Sequence, residues 1–393
     1  MKGTQTVRGR SVKVDASFID ILEKSDTLVA LMGNVEARNG PFILYIHHIR
    51  RNNVTLKSKH PFVFGLLTLA ALAGSQLYPS ANLLVSRAKA QAARGEAASS
   101  PSASSATAKV RLNPVIEKLA AGKPFIGVST EDLSFANANE LTRAPIDYVY
   151  VDMEHTPFSF DNLYHFTLGT IDKAATAKRG NSQADLAVFA RFPPYGREQV
   201  QWVSKQALDI GLMGIIFNSI DNAEQAALAV QSMRYPQMKG AKIPEPNGKR
   251  GWSPALATWL WGVSQNEYRE AADLWPLNPD GNLLAIMMIE TADGLKNADA
   301  IASVPGVGAI FIGPADLANS MGVPGNAPEV EQALQTILTA CKAHNVACGK
   351  TMSAAEMPRR LQEGWKMINL GSSSGGLTAG TDAVLKSIPE NVR

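Results

Sequence analysis

Eight short apolar runs, separated by segments that read as helices, constrain this chain more than any other feature. They lie at about 124–129 (PFIGVS), 146–152 (IDYVYVD), 186–191 (LAVFAR), 212–217 (LMGIIF), 283–290, 308–312, 345–350 and 367–371 (MINLG). Runs that are apolar throughout, rather than alternating, belong to strands buried on both faces. Strand–helix alternation repeated eight times over residues 112–393 predicts an α/β protein, a (β/α)8 barrel of the TIM type, which typically takes ~250 residues. A doubly wound open sheet is the competing arrangement. It would carry a glycine-rich phosphate turn after its first strand, and the sequence there is STEDLSFANA. The clearest helix start is at Asn326, with Glu329 three positions on in a capping-box pattern. Val330, Leu334, Ile337, Leu338 and Cys341 then recur at helical spacing.

Ahead of this domain the character of the chain differs. Residues 1–53 show poor periodicity and no motif tied to chemistry, and read as an upstream extension, unstructured or unassigned. From Lys57 the order is basic (KSKH), apolar (Pro61 to Ala73) and small-residue (Ala71-Leu72-Ala73, Ala88-Lys89-Ala90), which is the anatomy of a secretory signal. The run is too short for a stable membrane span. These features predict a signal-like segment at 54–92, a translation start near Val54, and a periplasmic or exported protein if the signal is used, a cytoplasmic one otherwise. A buried helix or an uncleaved anchor is the competing reading. Residues 93–111 are Ala/Ser-rich, as expected of a linker.

The formal charge of +3 is uneven. Residues 1–60 hold 10 Lys/Arg against 5 Asp/Glu, leaving 28 against 30 for the remainder, so the domain lacks the basic footprint of a nucleic-acid binder. Cys341 and Cys348 give neither a disulfide framework nor metal-knuckle spacing and read as small core residues, with a pair between them as the alternative. The longest insertion, Lys239 to Gly281 between strands four and five, carries Trp252, Trp259, Trp261 and Trp275; it reads as a rim or subunit contact without a chemical role.

Strand ends carry the candidate chemistry, because a parallel α/β barrel places its functional groups there. Glu290 closes strand five, and Asp316 follows strand six in AIFIGPADLANSMG. Two hard oxygen ligands on adjacent strand ends suit Mg2+ or Mn2+. VDMEH puts Asp152, Glu154 and His155 at the end of strand two, where an imidazole beside a carboxylate can act as a general acid or base. Arg191 closes strand three in FARFPPYG and can clamp a carboxylate or an enolate oxygen. Its bland reading is an ion pair to Glu290 or Asp316. Three motifs fail. Gly371-Ser372-Ser373-Ser374-Gly375 matches a nucleophile elbow, yet no histidine follows it. Cys348-Gly349-Lys350-Thr351 ends like a phosphate loop, but His344 stands where its first glycine should be. Lys350 could form an imine if desolvated, although acidic residues at the same mouth should favour its charged form.

With these residues collected, the domain resembles the metal-dependent HpcH/HpaI aldolase family. VDMEHTP, ARFPPYG, MMIETADGLKN, VPGVGAIFIGPADLANSMGVPGN and ALQTILTACKAHN fall in the family's order over nearly all of residues 112–393. The resemblance implies a barrel of the phosphoenolpyruvate/pyruvate-binding type, a divalent cation (Mg2+, Mn2+ or Co2+) as cofactor, and cleavage of a 4-hydroxy-2-oxo or 2-keto-3-deoxy acid to pyruvate and an aldehyde. It assigns Glu290 and Asp316 as metal ligands, His155 as acid/base oriented by Asp152, and Arg191 as the group on the keto oxygen. Gly313, Pro314 and Ala315, with the amides at Ala315 and Asp316, would receive the substrate carboxylate. It also implies a homo-oligomer, commonly a hexamer. The chain departs from the family at Met288, where members often have Gln, and at Gly371-Ser372-Ser373, where many have Gly-x-Asp. Two alternatives stay open: an exported, catalytically weak protein that binds metal and keto acid, and a Schiff-base aldolase using Lys350.

Overall fold

The structure, a computed structural model, describes residues 110–193 and 200–392, together with the backbone of six short strands between Thr4 and Arg50. The chain divides into two units, Met1–Ser105 and Ala106–Arg393. In the first, Thr4–Val7, Arg10–Val14, Val35–Ala37 and Gly40–Phe42 form an antiparallel sheet in that order, and Thr27–Leu28 pairs with Ile49–Arg50. No element was assigned there from sequence. The signal-like segment 54–92 and the linker as far as Lys109 lie outside the described residues. Among the described residues, no helix is long and apolar enough to cross a membrane.

The second unit is a closed parallel barrel. Its strands are β1 (Phe125–Thr130), β2 (Tyr148–Asp152), β3 (Ala187–Arg191), β4 (Gly214–Phe217), β5 (Leu283–Ile289), β6 (Val307–Ile312), β7 (Ala347–Thr351) and β8 (Met367–Ser372). Each pairs with the next, β8 returns to β1, and β4 pairs directly with β5, so no edge is left open. These are the eight runs read from the sequence, and the open-sheet alternative is excluded. The short strand Leu274–Trp275 adds to β5 on its outside course.

Period-two geometry builds the interior in layers, because alternate residues of a strand share a face and paired residues of parallel neighbours share it too. Phe125, Tyr148 and Phe189 form the floor: the first two rings meet edge-on at 5.4 Å and the second two stack at 5.4 Å. The floor needs room that only glycine leaves. A Cβ on Gly127 would sit 2.4 Å from the Tyr148 ring, and one on Gly214 would sit 2.6 Å from the Phe189 ring. Two residues further along, Tyr150 meets Phe311 at 5.9 Å. Two more bring the strands to their ends and to Asp152 and Arg191, which pair across β2 and β3.

Two local expectations change. The long helix is Pro328–Ala343, and Ala327 caps it without a side-chain bond. The predicted Asn326/Glu329 capping box does not form: Pro328 at the first helical position fixes φ and starts the helix instead. The insertion 239–281 does not rim the strand ends that carry the chemistry. Trp261 Nε1 donates to the Gly211 carbonyl at 2.7 Å, and Arg250 pairs with Asp209 at 3.0 Å. Both partners precede β4, so the insertion packs at the N-terminal end of the barrel. Cys341 and Cys348 are free and buried, as read.

Candidate active site

The C-terminal ends of β2, β3, β5 and β6 converge on one cluster of charged side chains. Asp152, the last residue of β2, is 4% exposed and accepts bonds from four directions. Its Oδ1 takes the Glu154 amide at 3.1 Å and Arg191 Nε at 3.1 Å. Its Oδ2 takes His155 Nδ1 at 2.9 Å and Arg191 Nη2. The bidentate arginine clamp fixes the carboxylate plane, and the carboxylate in turn fixes the imidazole. His155 therefore holds Nδ1 toward Asp152 while its side chain stays largely exposed.

Arg191 does not pair with Glu290 or Asp316, as its bland reading held. Besides Asp152 it meets Glu154 Oε2 at 3.2 Å, lies over the Tyr150 ring at 5.6 Å, and points Nη1 at Met288 Sδ at 3.9 Å. The thioether thus occupies the place beside the guanidinium where a glutamine amide would otherwise contribute.

Glu290 follows β5 directly and is 5% exposed. Ser219, left-handed at φ 50°, donates to Oε1 from its amide at 2.8 Å and its hydroxyl at 2.6 Å. The other oxygen lies against Gly313, whose added Cβ would come 2.9 Å from Oε2. Gly313 opens the helix Pro314–Met321, and Asp316 stands exposed in its first turn. The sequence placed Glu290 and Asp316 on adjacent strand ends, and the barrel has them there.

Electrostatics distinguish the carboxylates. Burial alone would raise Asp152, but the hydrogen bonds and charge of Arg191 and His155 outweigh it and hold the group below the usual range. Burial pushes Glu154 up, and Glu290 adds to the rise while Arg191 opposes it. Burial pushes Glu290 up against the bonds from Ser219, with Asp316 adding repulsion. Among the described residues, Asp152, Glu154 and Glu290 thus share the charge of one guanidinium, and Asp316 adds a fourth carboxylate beside Glu290. Such an excess of negative charge at one mouth, half of it buried, fits a divalent cation, and the all-oxygen donors of Glu290 and Asp316 fit a hard one. Ligand atoms of Asp152, Glu154 and His155 also lie within 4.8 Å of one another. Asp152 is held by two nitrogens of Arg191 and by His155, however, whereas Glu154 makes a single arginine contact and is the member best able to turn to a cation.

Lys350 is not at this mouth. Thr351 pairs with Asn369, Asn369 with Gly127 and Gly127 with Tyr148, which puts Thr351 on the inward face with Asp152 and Lys350 on the helix-facing side. Its Nζ donates to both oxygens of Glu356 at 2.9 Å and to the Thr351 carbonyl at 2.8 Å. Burial lowers its pKa against the pull of Glu356, the reverse of the direction expected from acidic neighbours. Geometry removes it as an imine former, since it faces away from the pocket that would hold the keto carbon.

Sequence reasoning missed Ser219, whose role appears only in its amide and hydroxyl contacts with Glu290 of the neighbouring strand end, and Tyr150, which the period-two spacing from Asp152 could have found. It also gave Glu154 no role. A cavity of about 230 Å3, lined by Thr167, Leu186, Met213 and Trp261, opens at the opposite end of β3 and β4. Its one carboxylate, Asp185, is tied to Arg179, so it lacks the groups for acid–base work.

Comparison with known proteins agrees with this geometry. A sequence model of the HpcH/HpaI aldolase/citrate lyase family matches residues 133–379. The 5-keto-4-deoxy-D-glucarate aldolase of Salmonella arizonae is 32% identical over 266 residues, covering 67% of this chain and 91% of that protein. That of Salmonella paratyphi C is 31% identical with the same coverage. Among solved structures, an HpcH/HpaI aldolase/citrate lyase family protein from Burkholderia cenocepacia superposes with a TM-score of 0.56 at 27% identity, over 70% of this chain and 98% of that one. The HpcH/HpaI aldolase from Desulfitobacterium hafniense gives 0.52 at 25% identity, over 70% and 97%.

Proposed function

The chain belongs to the HpcH/HpaI aldolase/citrate lyase family, and from that premise we propose that it is a divalent-metal aldolase, reversibly cleaving a 4-hydroxy-2-oxo or 2-keto-3-deoxy acid to pyruvate and an aldehyde. The observation that supports the metal dependence is the set of four carboxylates at the mouth, two of them, Glu154 and Glu290, with pKa values raised by burial and by a neighbouring carboxylate.

In this reading Glu290 and Asp316 hold the cation, with Glu154 beside them. When bound, a divalent cation supplies Lewis-acid polarisation of the substrate's keto oxygen. The amides of Ala315 and Asp316, at the start of the helix Pro314–Met321, receive the substrate carboxylate, since unpaired N–H groups and the helix dipole favour an anion there. Gly313 leaves room beside Glu290, where a Cβ would come 2.9 Å from Oε2. Arg191, fixed in its plane by Asp152, donates to the keto oxygen as negative charge develops on it. His155, with Nδ1 toward Asp152, uses Nε2 to take the proton of the C4 hydroxyl. The C3–C4 bond then breaks, C4 leaves as the aldehyde carbon, and the electron pair passes through C3 to the keto oxygen. Protonation of C3 completes pyruvate, and the reverse sequence forms the bond.

Pyruvate release should stop on chelation and return with Mg2+, Mn2+ or Co2+. Full activity in excess chelator would refute the metal requirement. Tight binding of pyruvate or oxalate with no turnover over a broad aldehyde panel would leave only the weak binding protein.

A further inference from the structure

The mouth has two walls of different chemistry. β2, β3, β5 and β6 bring the charged groups. The opposite wall comes from β7, β8 and β1, and its inward residues follow from the register. Thr351 and Asn369 share the face of Asp152 through the pairings given above, and Ser129, two residues beyond Gly127, pairs with Ser372. Thr351 and Ser372 are exposed and Ser129 is half-buried. Beneath them Asn369 accepts from Thr351 Oγ at 3.2 Å and from the Gly371 amide at 2.9 Å, which orients the threonine hydroxyl. Tyr150 joins the walls: it pairs in register with Ser129 across β1 and β2, and its ring lies under Arg191.

None of the inward-facing residues of β7, β8 and β1 is cationic, and Lys350 is turned to the helices. Glu131 and Asp132 follow β1, and Asp132 Oδ2 takes the Ser374 hydroxyl of the β8 loop at 2.9 Å. Hydroxyls donate and accept, so they can satisfy either half of a sugar-like hydroxyl; a carboxylate tail would gain no ion pair from these side chains.

We propose that this wall of Ser129, Thr351 and Ser372 holds the aldehyde beyond its carbonyl and selects uncharged hydroxyaldehydes over aldehydes that end in a carboxylate. The inference rests on the aldolase reading above. It concerns the aldehyde half of the site, whereas the metal and Arg191 concern the pyruvate half.

Glyceraldehyde and tartronate semialdehyde test it directly, because they differ only in hydroxymethyl against carboxylate at C3. With the full chain, pyruvate and saturating Mn2+, kcat/KM for condensation should favour glyceraldehyde by about tenfold or more, the discrimination expected of a site built to bond a hydroxyl. The ratio of the two substrates is independent of the amount of folded enzyme. Combining Thr351→Val with Ser372→Ala should bring it down toward one, and Thr351→Lys should shift it toward tartronate semialdehyde. A wild-type ratio at or below one, or a ratio unmoved by both variants, overturns the inference. Exchange of the pyruvate methyl protons with solvent, followed in parallel, separates the two failures. Exchange with an inverted ratio, or with neither aldehyde used, defeats this inference alone; no exchange with metal present defeats the aldolase reading and this inference with it.

Discussion

Asp152 accepts from Arg191, His155 and its own loop at once, so the acid/base and the oxyanion group are positioned by a single carboxylate. Asp152→Asn removes the charge that holds both, and kcat should fall at least as far as in His155→Ala, for which ~10²–10⁴-fold is the usual loss of a general base. Steady-state kinetics with pyruvate release as the readout checks this. Ser219 sets the pH limit from the other side. Glu290 must be ionised to hold a cation, and burial already raises its pKa. Ser219→Ala removes the hydroxyl donor that opposes that rise and leaves the amide, so the acid limb of kcat/KM should move to higher pH; an unmoved limb would exclude Glu290 as the group that titrates. Asp152, His155, Arg191, Glu290 and Asp316 were legible because each is a polar residue at or just past an apolar strand. Ser219 was not, because NSID gives no local sign that its backbone turns left-handed to reach Glu290.

At the scale of elements, apolar runs and turn residues located all eight strands, but not which way each residue points. β7 reads ACGKT and is buried except at its end, so no alternation in the sequence distinguishes its inward from its outward face. Only the hydrogen-bond register turns Lys350 to the helices, where Glu356 and Arg360 join the network. Helix starts were equally ambiguous: Asn326/Glu329 matched a capping box, and Pro328 preempted it. The aromatic floor makes a prediction at this scale. Gly127→Ala places a Cβ 2.3 Å from the Tyr148 carbonyl oxygen and 2.4 Å from its ring. Overpacking of this kind costs roughly 1–3 kcal/mol or more, which should lower Tm by several degrees at ~2–4 °C per kcal/mol for a domain of this size. A denaturation scan showing wild-type stability would mean the floor is loosely packed.

For the whole molecule, metal, pH and stability are coupled through the mouth. The folded pKa values of Glu154 and Glu290 lie above those of free carboxylates, so without a cation the folded state binds more protons than the unfolded chain in that interval. Stability from these groups is present below the unfolded pKa and lost as pH rises through the folded values. The chelated protein should therefore gain Tm on mild acidification from neutral pH, whereas Asp152, held low, contributes in the opposite sense and only at lower pH. A saturating cation should remove that dependence and stabilise the fold, by about 2.7 kcal/mol at a hundred times its Kd. Thermal scans with and without chelator across this range would reveal it. Asp316 is exposed and caps nothing with its side chain, and it repels Glu290, so Asp316→Ala should abolish the metal-induced rise without lowering the chelated Tm.

The pyruvate half-reaction isolates the central claim from any choice of aldehyde. Proton NMR of pyruvate in D2O should show loss of the methyl signal with enzyme and Mg2+, none in excess chelator, and none with Asp316→Ala. Exchange that persists in chelator, or that survives Asp316→Ala undiminished, would contradict a metal site at this barrel mouth.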